Sequence, residues 1–419
     1  MRQGPSLRIF KYLSLAPLFS PLSFNTKMSK YFVPQDAAHC YTIADLRRLA
    51  QSRLPQAVFD FIDGAAEDES TLSNNLNAFS KHKWMPHVLR DVSQVSTQTQ
   101  LFGKDMPLPL GIGPTGGAGF GHPKADLALA KAAAQFGIPY TLSSSATTTI
   151  EDIAQHAGGR LWFQAYVLKD KEFFWQMIER ARVCEYEGLM ITVDLPVGGK
   201  RVKDFHNHFS LPFKLTPRNL LDFSSRPTWL LRLLTHGVPT LANLKGLDRA
   251  ATTQASSFTK LASTVGKNYD PAFDFESLAK VRDKWKGRLI VKGISRADDA
   301  QKIAALGADA IVVSNHGGRQ LDGAIATLDA LPEVVSALSG KIPVLMDSGV
   351  RHGGDIAKAL ALGAHGVLIG RASLFGAVAQ ADEGAQRALE ILRDELQRTM
   401  QLCGVTQLNQ FNVDLMKKI

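Results

Sequence analysis

From Leu108 onward, short apolar runs alternate with longer stretches in which apolar residues recur every three or four positions. The runs are PLGI (109–112), YTLS (140–143), LWFQAYV (161–167), GLMITVD (188–194), RLIVKG (288–293), AIVVSN (310–315), PVLMDS (343–348) and GVLIG (366–370). Runs of this length read as strands. The stretches Lys124–Phe136, Lys171–Glu185, Ala297–Leu306, Leu328–Leu338 and Gly354–Leu362 read as helices. Several of these end in glycine, as in LGADA and LGAHG, where the left-handed conformation closes a helix. Strands alternating with helices mean parallel strands joined by crossovers, and eight such units in one chain of this length predict an α/β fold, a closed (β/α)8 TIM barrel. An open doubly wound sheet would use the same elements. Against it, nearly every run ends in a polar residue or glycine: Thr115, Ser143, Gln164 with Tyr166, Asp194, Lys292, His316, Asp347 with Ser348, and Gly370 with Arg371. A barrel brings all its strand C-termini to one face, so these groups converge without further assumption.

One unit is irregular. The starts of strands four and five lie about a hundred residues apart, and the excess, about 197–270, is a long excursion of the kind that serves as a lid or a binding loop. Within it, RPTWLLRLLTHGVPTL sets Trp229, Leu230, Leu231, Leu233 and Leu234 beside Arg226 and Arg232. Two readings fit equally: an interfacial helix giving a peripheral membrane contact through 220–245, and a short helix packed on its own barrel or on another subunit. Before the barrel, Thr42–Ser80 reads as helices, with Thr42 and Asp45 in capping-box spacing and the run Glu67–Glu69 as a solvated helix start. The domain organisation is therefore a basic tail at 1–27 and one barrel domain at 28–419. The tail reads equally as a targeting segment and as an over-called start with Met28 the first residue.

The formal net charge of +9 is segmental. Residues 1–30 hold five basic and no acidic residues and residues 195–270 hold eleven basic against four acidic, which leaves the rest of the chain net negative. That distribution suits an anionic membrane surface or substrate and argues against nucleic acid as a partner. Three scattered cysteines, Cys40, Cys184 and Cys403, support neither a disulfide framework nor a metal site, and place the protein in a reducing, cytoplasmic setting.

The strongest local signal is SNHGGRQLDG, Ser314–Gly323. It puts a base, His316, and a carboxylate-binding guanidinium, Arg319, on one glycine-flexed loop. Asp194 at the end of strand four is the acidic partner that holds such a base in one tautomer and stabilises its imidazolium. MDSGVRHGGD and LIGRA, after strands seven and eight, form the barrel's usual phosphate site: backbone N–H groups of Ser348, Gly349 and Gly370 with the charges of Arg351 and Arg371. Lys292, inward at the end of strand five, could stabilise a reduced ring or form a Schiff base. The latter would make the chain a phosphate-binding lyase or isomerase.

LPQAVFDFIDGAAED, GPTG, TLSSSAT, WFQAYV, TVDLP with Arg201 seven residues after Asp194, VKG, SNHGGRQLDG, DSGVRHG and IGR occur in order from about Tyr41 to the C-terminus. In these motifs the chain resembles the FMN-dependent 2-hydroxy acid oxidase and dehydrogenase family. The resemblance implies FMN as cofactor and oxidation of an L-2-hydroxy acid, such as lactate, mandelate or a larger analogue, to the 2-oxo acid. His316 would take the substrate proton and Asp194 steady its imidazolium; Arg319 would bind the carboxylate, Arg201 would assist at the carboxylate or oxyanion, and Tyr166 would bond the 2-hydroxyl. Flavin contacts would come from Thr115, Ser143, Gln164, Thr192, Lys292, Ser314 and Asp347, and phosphate contacts from Ser348, Gly349, Arg351, Gly370 and Arg371. It also implies a homotetramer.

Three positions depart from the commonest pattern. Phe61, in the substrate pocket, stands where many members carry a tyrosine, as in the long-chain oxidases; Ser145 replaces a bulky aromatic; Gly116 replaces the alanine of the oxidase-type motif. The first two predict a larger or more apolar substrate. The third, with the excursion's likeness to the mandelate-dehydrogenase branch, leans toward a dehydrogenase passing electrons to a membrane quinone from the inner face of the cell membrane. An oxidase using O2 and producing hydrogen peroxide is the near alternative.

Overall fold

The computed structural model describes residues 33–207, 217–247 and 268–419, so the tail at 1–27 lies outside it. All eight apolar runs are strands: β1 Leu110–Ile112, β2 Pro139–Ser143, β3 Arg160–Tyr166, β4 Gly188–Thr192, β5 Arg288–Ile294, β6 Ala310–Val313, β7 Val344–Met346 and β8 Gly366–Ile369. They pair in parallel in sequence order, and β8 closes onto β1 through Val367, Leu368 and Ile369 opposite Leu110, Gly111 and Ile112. Closure leaves the barrel sheet without an edge. Side chains fill the lumen and helices cover the outside, so both faces of each strand are buried. That is why the runs are continuously apolar rather than alternating.

Three helices, α1 Ile43–Arg53, α2 Gln56–Asp63 and α3 Ser70–Ser80, precede the barrel. The Thr42 hydroxyl accepts from Asp45 N (3.1 Å) and Asp45 Oδ2 accepts from Thr42 N (2.9 Å), which is the capping box that the spacing predicts. Glu67 and Asp68 are exposed, but Glu69 accepts from Ala65 N (2.8 Å) and pairs with Lys203 (2.7 Å), tying the turn before α3 to the excursion. Covering the barrel are α4 Ala125–Gln135, α5 Ile150–His156, α6 Lys171–Val183, then, after the excursion helices α7 Val202–His206, α8 Pro217–Ser224 and α9 Pro227–His236, α10 Phe275–Lys284, α11 Ala297–Ala305, α12 Thr327–Leu338, α13 Gly353–Ala361 and α14 Arg371–Cys403.

Both readings of the excursion find a face. Trp229 is buried, its indole N–H donating to the carbonyl of Phe120 (2.9 Å), and Leu230 and Leu233 pack against the core. Leu231 and Leu234, one position on in each case, are 61% and 74% exposed, beside Leu221 at 73%. So α9 seats one apolar face on the barrel and turns another outward. No described helix is long and apolar enough to cross a membrane.

Candidate active site

The loop after β6 presents the base. Asn315, His316, Gly317 and Gly318 fold into a tight turn in which His316 (φ 59°), Gly317 (65°) and Gly318 (75°) are all left-handed. For a histidine that conformation is uncommon and persists only where neighbours enforce it. Here Asn315 and Asn75 of α3 exchange two side-chain hydrogen bonds of 2.8 Å, Gly317 N donates to Ser348 Oγ (2.9 Å), and His316 N donates to Ser314 Oγ (3.1 Å). His316 Nδ1 is 2.9 Å from Asp194 Oδ1, and its Nε2 lies 3.3 Å from the Tyr166 hydroxyl. Burial holds the imidazole below its ordinary pKa, against the opposite pull of Asp194, so it is neutral and able to accept a proton at neutral pH. Burial opposes the charge of Asp194, but His316 and Lys292 keep that carboxyl below its ordinary range. Gly293 (φ 109°) lets the carboxylate in: a Cβ there would stand 2.6 Å from Asp194 Cβ.

Near this pair is a group of partly buried cations. Burial, with Arg201 and Arg371 nearby, pushes Arg319 down to about 9. A guanidinium keeps its proton in proteins, so the shift measures an uncompensated positive field that an anion would relieve. Arg319 donates to the carbonyl of Gly64 (2.6 Å). Arg201 is set by the start of the excursion, where Gly199 N donates to Gln320 Oε1 (2.8 Å). Its Nε is 2.8 Å from Asp204 Oδ2, an ion pair without hydrogen-bond angles. The ring of Phe61 lies beside both groups, its centroid 5.3 Å from the Arg201 guanidinium and 5.4 Å from that of Arg319. The phenylalanine thus gives up a hydroxyl but offers both cations its π face.

A polar strip crosses the barrel mouth on the other side. Ser145 N donates to Ser143 Oγ (3.1 Å), Ser143 Oγ donates to Gln164 Oε1 (3.0 Å), and Gln164 Nε2 donates to Thr192 Oγ1 (3.0 Å). Lys292 donates to Ser314 Oγ (2.9 Å) and lies 3.4 Å from Asp347. Burial works against its charge, but Asp347 and Asp194 prevail and raise it above an ordinary lysine. A Schiff-base lysine needs the opposite shift, so the lyase reading loses its nucleophile.

Phe61, Ser145, Tyr166, Arg201, Lys292, His316, Arg319 and Asp347 border one cavity of about 1100 Å3, larger than a single small ligand needs, whereas Ser143, Gln164, Thr192, Asp194 and Ser314 are not part of its lining. Ser348, Gly349, Arg351, Gly370 and Arg371 line one part of it, with Ser348 (φ 77°) and Gly349 (φ 88°) left-handed and Gly370 capping α14. Burial pushes Arg351 and Arg371 each down to about 10, Arg371 further by its like-charged neighbour Arg351. Arg371 also donates to the carbonyls of Gly64 (2.6 Å), Ile62 (3.2 Å) and Gly317 (3.0 Å), clamping α2 against the His316 turn. The Thr115 hydroxyl is buried without a partner among the described residues. Anion-seeking arginines, an orphaned hydroxyl and a buried ammonium fit a flavin mononucleotide with its phosphate on the arginine side.

The predicted residues thus converge on one face. Sequence reasoning missed Asn75, whose only signal is a polar residue on a buried helix face. It also missed Asp204, Asp322, which accepts from Ser70 and Thr71 and fixes α3 against the same loop, and Tyr269, at the excursion's return.

Comparison with known proteins accords with this geometry. The chain is 41% identical over 377 residues to (S)-mandelate dehydrogenase of Pseudomonas putida, covering 90% of this chain and 94% of the relative. It is 38% identical to L-lactate dehydrogenase of Pseudomonas syringae pv. syringae, covering 90% and 98%. A crystal structure of the monotopic membrane protein (S)-mandelate dehydrogenase superposes with a TM-score of 0.85 at 40% identity, over 91% of this chain and all of that one. The model of the FMN-dependent dehydrogenases matches residues 50–418, and the chain belongs to that family.

Proposed function

We propose that the protein oxidises an L-2-hydroxy acid to the 2-oxo acid and passes the electrons to a membrane quinone. One observation carries the reading: a neutral histidine, backed by a largely shielded carboxylate, opens on the same cavity as two carboxylate-seeking arginines. Arg319 and Arg201 hold the substrate carboxylate, and the Tyr166 hydroxyl bonds the substrate's 2-hydroxyl beside His316 Nε2. His316 accepts a substrate proton at Nε2, and Asp194 stabilises the imidazolium through Nδ1. Thr115, Ser143, Gln164 and Thr192 hold the flavin edge, Lys292, kept cationic by Asp347, stands ready for negative charge there, and Ser348, Gly349, Arg351, Gly370 and Arg371 hold the phosphate. FMN, when bound, supplies the two-electron acceptor. Phe61 and Ser145 leave room for a substrate side chain larger than a methyl.

The outward leucines of α8 and α9, on a basic segment, support a peripheral contact with an anionic membrane, as does the description of the mandelate dehydrogenase neighbour as monotopic. Anaerobic mixing with L-lactate, (S)-mandelate, glycolate and 2-hydroxyoctanoate tests the reading. Bleaching of the flavin by one of them is expected, and slow recolouring in air favours quinone over oxygen as acceptor. A flavin that none of them bleaches refutes the substrate class.

A further inference from the structure

At its return end the excursion is sewn to the barrel by backbone. Lys169 N donates to the carbonyl of Asn268 (2.8 Å), Asp270 N donates to that of Val167 (3.0 Å), and Leu168 bridges Tyr269. Lys171 pairs with Asp270 just outside. These contacts leave little freedom for Tyr269, which is 9% exposed, lines the active-site cavity and packs its ring on Tyr166, with centroids 5.2 Å apart and planes inclined by 50°.

Its hydroxyl donates to no described residue, unlike those of Tyr166, which meets His316, and Tyr186, which donates to the carbonyl of Ile150 (2.9 Å). Burial, with Tyr166 and Asp194 adding to it and Arg201 opposing, holds the phenol well above its ordinary pKa, so it stays a neutral donor. A donor fixed on a cavity wall and met by no described residue finds its partner in whatever fills the cavity. The neighbours define that partner. Arg201 and Tyr166 are both within electrostatic reach of the phenol, and every donor on this side calls for the same anionic group.

We infer that Tyr269 is a further substrate-binding residue, its hydroxyl donating to the substrate carboxylate held by Arg201 and Arg319. The inference rests on the reading of the cavity as a 2-hydroxy acid site. Tyr269, on the same cavity as Phe61, would supply the phenol that position 61 lacks, and would make the excursion part of the binding site as well as its cover.

The test compares Tyr269→Phe and Tyr269→Leu with the wild-type holoenzyme. Phenylacetate and phenylacetamide, which differ in the carboxylate and carry no oxidisable hydroxyl, are titrated against the flavin absorbance spectrum. Tyr269→Phe is expected to weaken phenylacetate about tenfold to a hundredfold, the worth of one hydrogen bond to a charged group, and to leave phenylacetamide unmoved. In turnover the loss should fall on KM rather than kcat. Wild-type affinity for phenylacetate in Tyr269→Phe would overturn the inference. So would a Tyr269→Phe variant that is neutral while Tyr269→Leu alone weakens both ligands, since the ring would then be an apolar wall. Because these titrations need no turnover, they decide the role of Tyr269 even if no 2-hydroxy acid bleaches the flavin, the result that sinks the functional reading.

Discussion

Replacing Asp194 by asparagine keeps the shape of the base pair and removes its charge. In the native site the imidazole and carboxylate meet at 2.9 Å, largely shielded from solvent. With the imidazolium charge spread over the ring, the effective separation is about 4 Å, and an attraction of about 4 kcal/mol follows at an effective dielectric constant of about 20. The asparagine amide still offers a neutral hydrogen bond worth about 0.5–1.5 kcal/mol. The net loss in stabilising the protonated base is therefore about 2.5–3.5 kcal/mol, or roughly 70- to 400-fold in the proton-abstracting step. Burial already holds His316 low and Asp194 is the largest influence raising it, so the substitution lowers its pKa further. A base must be neutral to act, and activity is lost as pH falls through its pKa. The acid limb of the pH profile should thus move to lower pH while the plateau drops. Anaerobic stopped-flow measurement of flavin reduction across pH reads both. A rate within threefold of wild type, with an unmoved acid limb, would refute the assignment of the pair as base and stabiliser.

Arg319→Met should raise the Kd for 2-hydroxy acids and their 2-oxo products by about 30-fold or more, since charged hydrogen bonds are each worth about 1.5–3 kcal/mol; equilibrium titration of the oxidised holoenzyme checks this. Gly293→Ala forces a side chain into a left-handed position 2.6 Å from Asp194 Cβ and should cost about 1–3 kcal/mol of stability, seen as a lower melting temperature together with slower flavin reduction. Leu231→Asp with Leu234→Asp should release the protein from anionic vesicles in a sedimentation assay, because each buried leucine contributes about 1.5–3 kcal/mol. The double variant should still be bleached by substrate in solution. Removing 220–245 outright is the poorer experiment, since it would also strip Trp229 from Phe120.

The barrel was legible because its strands are largely buried on both faces and nearly every one ends in, or is followed within three residues by, glycine or a polar residue, a pattern that few folds besides a closed barrel require. His316 and Asp194 were legible for the same reason: each follows a strand, and strand ends share a face. What stayed hidden depends on partners distant in sequence. Asn75 and Asn315 stand 240 residues apart, and nothing periodic marks either. The inner and outer faces of α9 are both leucine-rich, so composition alone could not divide Leu230 from Leu231; the contact of Trp229 with the barrel does. In sequence Phe61 is only a lost hydroxyl, whereas in the fold its ring faces two guanidiniums.

The left-handed run at His316, Gly317 and Gly318 has a bearing on how the enzyme can be cut and recombined. Its restraints come from β7's loop and from α3, which is no part of the eight-unit repeat. A chain shortened to start at β1 could keep every strand pairing and still lose the clamp on Asn315, leaving the histidine to relax toward an ordinary backbone conformation. The smallest transplantable unit is therefore the barrel with its leading helices, and in partial denaturation turnover should fade before the barrel's circular dichroism does.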